Sequence, residues 1–232
     1  MNYFEYKNNF SPITFSAPHG SNLYPNKKIS LEPGDRGTKE LTIKISKIMN
    51  SNYITSNVSR TYIDFNRNKE ECILKKFGNK YYNQKIKCIE KNKRINIHKQ
   101  YFETLKLLCN KYHFSIHSMH EYGQEGSVDE NEKRKQIVIS DLNGKSFEKK
   151  NLEKVKKEFE KEGFSVSYNY PFKGGYEIQY SKKYCSSLQI EIRKDLLLSS
   201  SKKDDKQNLF IDIKKIDILA KKISKILKVL NV

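Results

Sequence analysis

Two histidines stand where the chain leaves a short apolar run. His19 follows Ile13-Thr-Phe15 in Ser16-Ala-Pro-His19-Gly20-Ser21-Asn22, and His117 lies near the end of Phe114-Ser-Ile-His117-Ser118-Met119. Read as strands, the two runs bring both imidazoles to the carboxyl edge of one sheet, where open α/β folds bind ligands. A catalytic zinc typically takes three ligands from His, Asp or Glu and keeps a fourth position for water, whose pKa it lowers toward about 7. Taken alone, each histidine is equally readable as a surface or core imidazole. Further along, Arg60 and the pair Asn66-Arg67 bracket Asp64. A planar guanidinium binds carboxylate bidentately and Asn adds a neutral donor beside it, while a local ion pair from either arginine to Asp64 is the alternative. In Leu188-Gln-Ile-Glu191-Ile192, alternation puts the aliphatic residues on one face and Gln189, Glu191 and Arg193 on the other.

Five segments occur in order: Ser16–Pro25, Ser59–Arg67, Phe114–Met119, Pro171-Phe-Lys-Gly174-Gly175-Tyr176 and Leu188–Ile192. In that order they resemble the N-formylglutamate amidohydrolase family, which groups with zinc carboxypeptidases and aspartoacylases. The resemblance covers residues 12–193 and implies one zinc per chain, held by His19, Asp35 and His117. Asp35 comes from Gly34-Asp35-Arg36-Gly37-Thr38, similar to the family's segment that opens the first helix. A turn or helix N-cap role for Asp35 is the alternative, with Glu32 and Glu40 as substitute ligands. The His-x-x-Glu spacing of zinc carboxypeptidases is absent, because position 22 is Asn.

The resemblance further implies Arg60 as oxyanion partner, Asn66 and Arg67 as the clamp for a substrate carboxylate, and Glu191 as general base and acid. Gly174 and Gly175 would let backbone approach the ligand closely, with Tyr176 beside it. The implied reaction is removal of a formyl or other small acyl group from an acidic amino acid such as N-formylglutamate. Other N-acyl amino acids, small peptides with a free carboxylate and a non-catalytic binding module remain as rivals. Ser115 favours the last, since the family usually has an acid two residues before its second metal histidine.

These groups must be positioned by an α/β fold. Apolar alternation predicts strands near 12–17, 52–58, 62–66, 113–118, 136–141, 164–169 and 186–192. Helical spacing covers 38–49, 96–112, 150–162 and 211–230. Interleaving of this kind predicts one α/β domain over residues 1–232, a mixed twisted sheet flanked by helices, with the last helix packed on the sheet. Residues 199–208 and 123–135 read as loops, the second at the rim of the site.

Composition narrows the classes. A chain of 232 residues with 36% hydrophobic and 12% aromatic residues can bury roughly 70% or more of its unfolded surface as one domain. Cys72, Cys88, Cys109 and Cys185 are scattered without metal-ligand or disulfide spacing. The N-terminal residues lack a secretory pattern and no long apolar run occurs, so a soluble cytoplasmic protein without a membrane partner is expected. A net charge of +18 ordinarily suggests nucleic acid. Here 39 of the 45 basic residues are Lys and only six are Arg, which reads as solvation of exposed faces, with a small molecule and not nucleic acid as the specific partner. Duplex or single-stranded nucleic acid is therefore expected to bind weakly and to leave at physiological salt.

Overall fold

In the computed structural model, which describes residues 2–25, 33–200 and 209–231, seven strands form one mixed sheet. They are β1 (Phe4–Lys7), β2 (Ile13–Ala17), β3 (Asn52–Ser56), β6 (Tyr112–Met119), β7 (Ile137–Ser140), β8 (Val166–Tyr168) and β9 (Ser186–Arg193). Their order is β1-β3-β2-β6-β9-β7-β8. The four central strands β3, β2, β6 and β9 run parallel, β1 is antiparallel to β3, and β7 is antiparallel to β9. Two small hairpins, β4 (Lys76–Phe77) with β5 (Lys80–Tyr81) and β10 (Leu198–Ser200) with β11 (Leu209–Ile211), stand outside it. Among the described residues no helix is long and apolar enough to cross a membrane.

The two faces of the sheet differ in chemistry, and strand alternation explains how. Phe15, Phe114, Ile116, Leu188, Ile190, Ile192, Ile137 and Ile139 form one buried cluster with α1 (Thr38–Met49), α3 (Lys149–Lys161) and α5 (Ile213–Leu227). Fully burying one such side chain contributes about 1.5–3 kcal/mol, so this cluster is the main source of stability. The intervening residues point the other way. Paired register puts Ser16, Ser115 and Gln189 in one row, with His117 beside Glu191 in the next. This polar face lies under α2 (Cys88–Leu108) and α4 (Tyr176–Ser181), whose own aromatic cluster includes Phe65, Tyr101 and Phe102. A sheet with one face apolar and the other polar but buried can hold reactive groups away from water without opening its core.

The connections make the crevice. From β2 the chain passes through α1 to β3 on one side, then returns through α2 on the opposite layer to β6 on the other side of β2. The carboxyl ends of β2 and β6 therefore flank a topological switch point, the place where open α/β sheets bind ligands. His19 and His117 stand on its two sides.

Several sequence expectations are corrected. Residues 62–66 form turns and no strand: Asp64 Oδ1 accepts the Asn66 N–H at 2.9 Å, and Tyr62 N–H bonds back to the Ser59 carbonyl. A short Asp side chain that satisfies its own backbone removes the donors a ladder needs. The second helix begins at Cys88, ahead of 96, and ends at Leu108, so residue 112 opens β6. Its polar first turns are held by Arg94, which bonds Glu90, the Tyr62 carbonyl and Asn83. The last helix starts at Ile213, capped by Asp212 accepting the N–H groups of Lys214 and Lys215, and packs against α1 and α3. Ile213 itself is exposed. Glu32 and residues 201–208 of the expected loop lie outside the described residues.

Candidate active site

His19, Asp35 and His117 converge. Each offers one ligand atom, and these atoms lie within 4.8 Å of one another in a buried position. The backbone sets this up: Asp35 N–H donates to the His19 carbonyl at 2.7 Å, and the Thr38 hydroxyl donates to the Asp35 carbonyl at 2.6 Å. Gly37, with φ of 88°, is the N-cap of α1. The Asp35 carboxylate is therefore not spent on capping. Its Oδ2 lies 3.1 Å from His117 Nδ1 and 3.4 Å from His19 Nδ1. Burial by itself would raise the Asp35 carboxyl, but its contacts with both imidazoles hold it well below the usual carboxylate range. Glu40 sits in the first turn of α1, outside this group.

A ligating histidine usually gives its second ring nitrogen to an acceptor that fixes tautomer and orientation. His19 Nε2 does so to Asp64 Oδ1 at 2.7 Å. Asp64 is fully buried and also accepts from Arg60 Nε and Nη2 at 3.1 and 2.8 Å. Burial favours its neutral form, yet Arg60 and His19 keep it ionised far below the ordinary range. The other nitrogen, His19 Nδ1, is buried without a hydrogen-bond partner. Buried nitrogen lone pairs are rarely left unused. Two imidazoles and a carboxylate are the donor set zinc prefers, so these residues fit a divalent metal.

Glu191 stands directly beside His117, their positions paired in the β6–β9 register. It is buried and faces the same cleft. Burial, with Asp35 nearby, pushes its carboxyl up, against the lowering influence of His117, His19 and Arg60. Gln189 Nε2 donates to Glu191 Oε1 at 2.9 Å while its Oε1 accepts the Gly175 N–H at 2.9 Å, tying the general-base candidate to the Gly-Gly turn.

The cleft around these groups measures about 1050 Å³. Arg60, Asn66, Gly174, Gly175, Gln189 and Glu191 line it together with the His-Asp-His group. Gly174 adopts φ of 105°, the left-handed region that favours glycine. At Gly175 a Cβ would fall 2.2 Å from the Asn66 amide. Gly175→Ala is accordingly expected to overpack this contact and cost about 1–3 kcal/mol, read as a lowered urea midpoint at unchanged m-value.

Two expected substrate contacts are placed elsewhere. Arg67 is 47% exposed, 3.8 Å from Asp64 and 4.0 Å from Glu71, and is not among the lining residues. Tyr176 opens α4 and packs its ring against Phe102 at 5.2 Å, on the far side of Gly175. Sequence reasoning missed Lys194, which lines the cleft just past β9 and donates from Nζ to His120 Nε2 at 3.0 Å. Burial lowers the Lys194 ammonium and, with Lys194 and Arg134 nearby, pushes His120 down to about 4, so a neutral imidazole accepts that bond. No spacing pattern in the chain marks Lys194, one lysine among 39. Of the expected rim loop 123–135, Gln124, Val128 and Arg134 line the cleft, and the segment is held by the buried Arg134–Asp129 pair at 2.5 Å.

Sheet, switch-point crevice and the buried His19-Asp35-His117 group define an α/β fold with a mixed central sheet and a group able to hold a metal ion. The N-formylglutamate amidohydrolase family profile matches residues 11–198, a span that contains every residue of the cleft named above, and the chain belongs to that family. Solved structures agree in fold. N-formylglutamate amidohydrolase from Ralstonia eutropha JMP134 is 19% identical with a TM-score of 0.79, covering 100% of this chain and 98% of that one. A gene product of Agrobacterium tumefaciens is 15% identical with a TM-score of 0.76, covering 100% and 97%. A bacteriophage poly-γ-glutamate hydrolase is 12% identical with a TM-score of 0.52, covering 98% and 88%. No curated protein sequence gives a match.

Proposed function

We propose that this protein is a zinc-dependent amidohydrolase that releases the formyl group from N-formylglutamate or a close N-acyl acidic amino acid. The observation that carries the reading is the buried, unpartnered His19 Nδ1 facing Asp35 and His117, with Glu191 on the adjacent strand. His19, Asp35 and His117 would hold the ion. When bound, it polarises the amide carbonyl and lowers the pKa of water.

The chain's own groups supply the rest. Glu191, its carboxyl raised by burial, takes the proton of the attacking water and returns it to the departing amine nitrogen. Arg60 brings fixed positive charge to the wall of the cleft, where developing oxyanion charge is stabilised by about 2.7–4 kcal/mol per well-placed donor. The substrate carboxylate is read by Asn66 and Lys194, which both line the cleft, while Arg67 serves as an outer partner of Asp64. A neighbouring reading, hydrolysis of a larger N-acyl amino acid, draws support from a cleft volume of about 1050 Å³, at the upper end of the common range for small-molecule sites.

The test is hydrolysis of N-formyl-, N-acetyl- and N-succinylglutamate by zinc-loaded and chelated protein. N-formylglutamate is expected to give the highest kcat/KM, with activity lost to chelator and regained on adding zinc. Absence of turnover on all three would overturn the proposal. For the carboxylate, Lys194→Met is expected to lower kcat/KM on N-formylglutamate by roughly 10- to 150-fold, the worth of one charged hydrogen bond, mainly through KM. Arg67→Ala should change it by less than about threefold, as for an exposed ion pair. The reverse ranking would return the clamp to Arg67.

A further inference from the structure

Glu177, the second residue of α4, has no part in the chemistry above, yet it is fully buried. Its carboxylate collects three hydroxyl donors: Tyr101 on Oε1 at 2.5 Å, and both Ser16, at 2.7 Å, and Ser115 on Oε2. Asn66 Oδ1 accepts its backbone N–H at 3.0 Å. Burying a carboxylate carries a penalty of several kcal/mol before compensation, so its position calls for a role.

Counting protons shows one. A serine hydroxyl has a single proton, and Ser115 gives it to Glu177. The 3.0 Å contact between Ser115 Oγ and His117 Nε2 must then have the imidazole as donor. With the Nε2 proton held in that bond, Nδ1, the atom 3.1 Å from Asp35 Oδ2, is the ring nitrogen presented to the position a cation would take. On the opposite side, the Asp64 bond to His19 Nε2 presents that ring's Nδ1 to the same point. The two imidazoles are thus set alike by different means, one by a carboxylate directly and one through a serine.

We propose that Glu177, acting through the Ser115 hydroxyl, is a positioning residue that fixes His117 as its Nε2–H tautomer and thereby strengthens divalent-cation binding by His19, Asp35 and His117. The inference rests on the metal reading above. Neither residue touches substrate. Partners of this kind typically contribute about 10–100-fold in metal affinity.

Two measurements test it. In the zinc-loaded protein, nitrogen-15 NMR of the His117 ring is expected to show the ion on Nδ1 and a proton on Nε2, and Ser115→Ala is expected to speed exchange of that proton with water severalfold. Zinc affinity, measured by competition with a chromophoric chelator, should fall about 10–100-fold in Ser115→Ala and about tenfold in Glu177→Gln, which keeps shape but loses charge. Because both act along one path, the double variant should bind zinc no more weakly than Ser115→Ala alone. Zinc on Nε2 of His117 in the wild-type protein, zinc affinity within twofold in Ser115→Ala, or independent addition of the two losses would overturn the relay. If Glu177→Gln does not fold, Ser115→Ala, which removes one oxygen, still decides through both readouts. A wild-type protein that takes up no zinc sinks the metal reading and the affinity part of this proposal, whereas a zinc-binding protein with the wrong His117 tautomer sinks the relay alone.

Discussion

Glu191→Gln is expected to leave zinc binding and the fold intact while lowering kcat by about 10²–10⁴-fold, the usual contribution of a positioned general base. Gln keeps the shape of the side chain and can still bond Gln189, but it cannot accept a proton. The same residue sets a pH dependence. Burial raises the Glu191 carboxyl, and the base must be ionised, so kcat should climb with pH along an acid limb lying above the ordinary Glu value of about 4.3. In Glu191→Gln that limb should vanish from the residual rate. Parallel measurements of kcat against pH and of bound zinc separate the outcomes. A variant with near-normal turnover returns Glu191 to a structural place in β9; one that loses zinc as well makes it a ligand.

His117→Ala is expected to abolish stoichiometric zinc uptake and turnover together, with the fold retained. The histidine lies at the carboxyl end of β6, on the polar face, while the apolar cluster beneath Phe114 and Ile116 is untouched. The clearest readout is thermal. Zinc supplied at about 100 times its dissociation constant should add about 2.7 kcal/mol to the wild type, which for a chain of this size is an upward shift in Tm of about 5–10 °C. The variant should show no shift, and its metal-free Tm should lie close to that of the metal-free wild type. A variant that still gains stability from zinc would remove His117 from the ligand set, leaving His19 and Asp35 to be completed by another group.

Much of this site is legible because strand periodicity is local. His113, Ser115 and His117 alternate with Phe114 and Ile116, and Gln189 and Glu191 alternate with Leu188, Ile190 and Ile192. Alternation with a period of two assigns each set to one face before any neighbour is known. The Gly-Gly turn is legible only through its resemblance to the family's loop, and the structure shows that the missing Cβ of Gly175 leaves space for the Asn66 amide.

Other features depend on partners that sequence spacing does not reveal. Residues 62–66 have the apolar alternation of a strand, but Asp64 turns to its own backbone, to Arg60 and to His19, 45 positions earlier. Arg67 looks equivalent to Arg60 in the chain, yet only Arg60 lines the cleft. Glu177 carries no mark in the sequence, and it is α4 that lays it over Ser115, 62 positions away.

Sequence by itself determined the α/β class, the strand faces, and the residue types available for a metal centre and a general base, because these follow from composition and from periods of two and 3.6. Tertiary structure decided which of the chain's cations line the cleft and which carboxylates hold the imidazoles, and it brought Asp35, the acid named by the family resemblance, up to the two histidines. Those choices depend on distances of about 3 Å between side chains from different elements, and such distances are set by strand order, register and helix placement around the switch point.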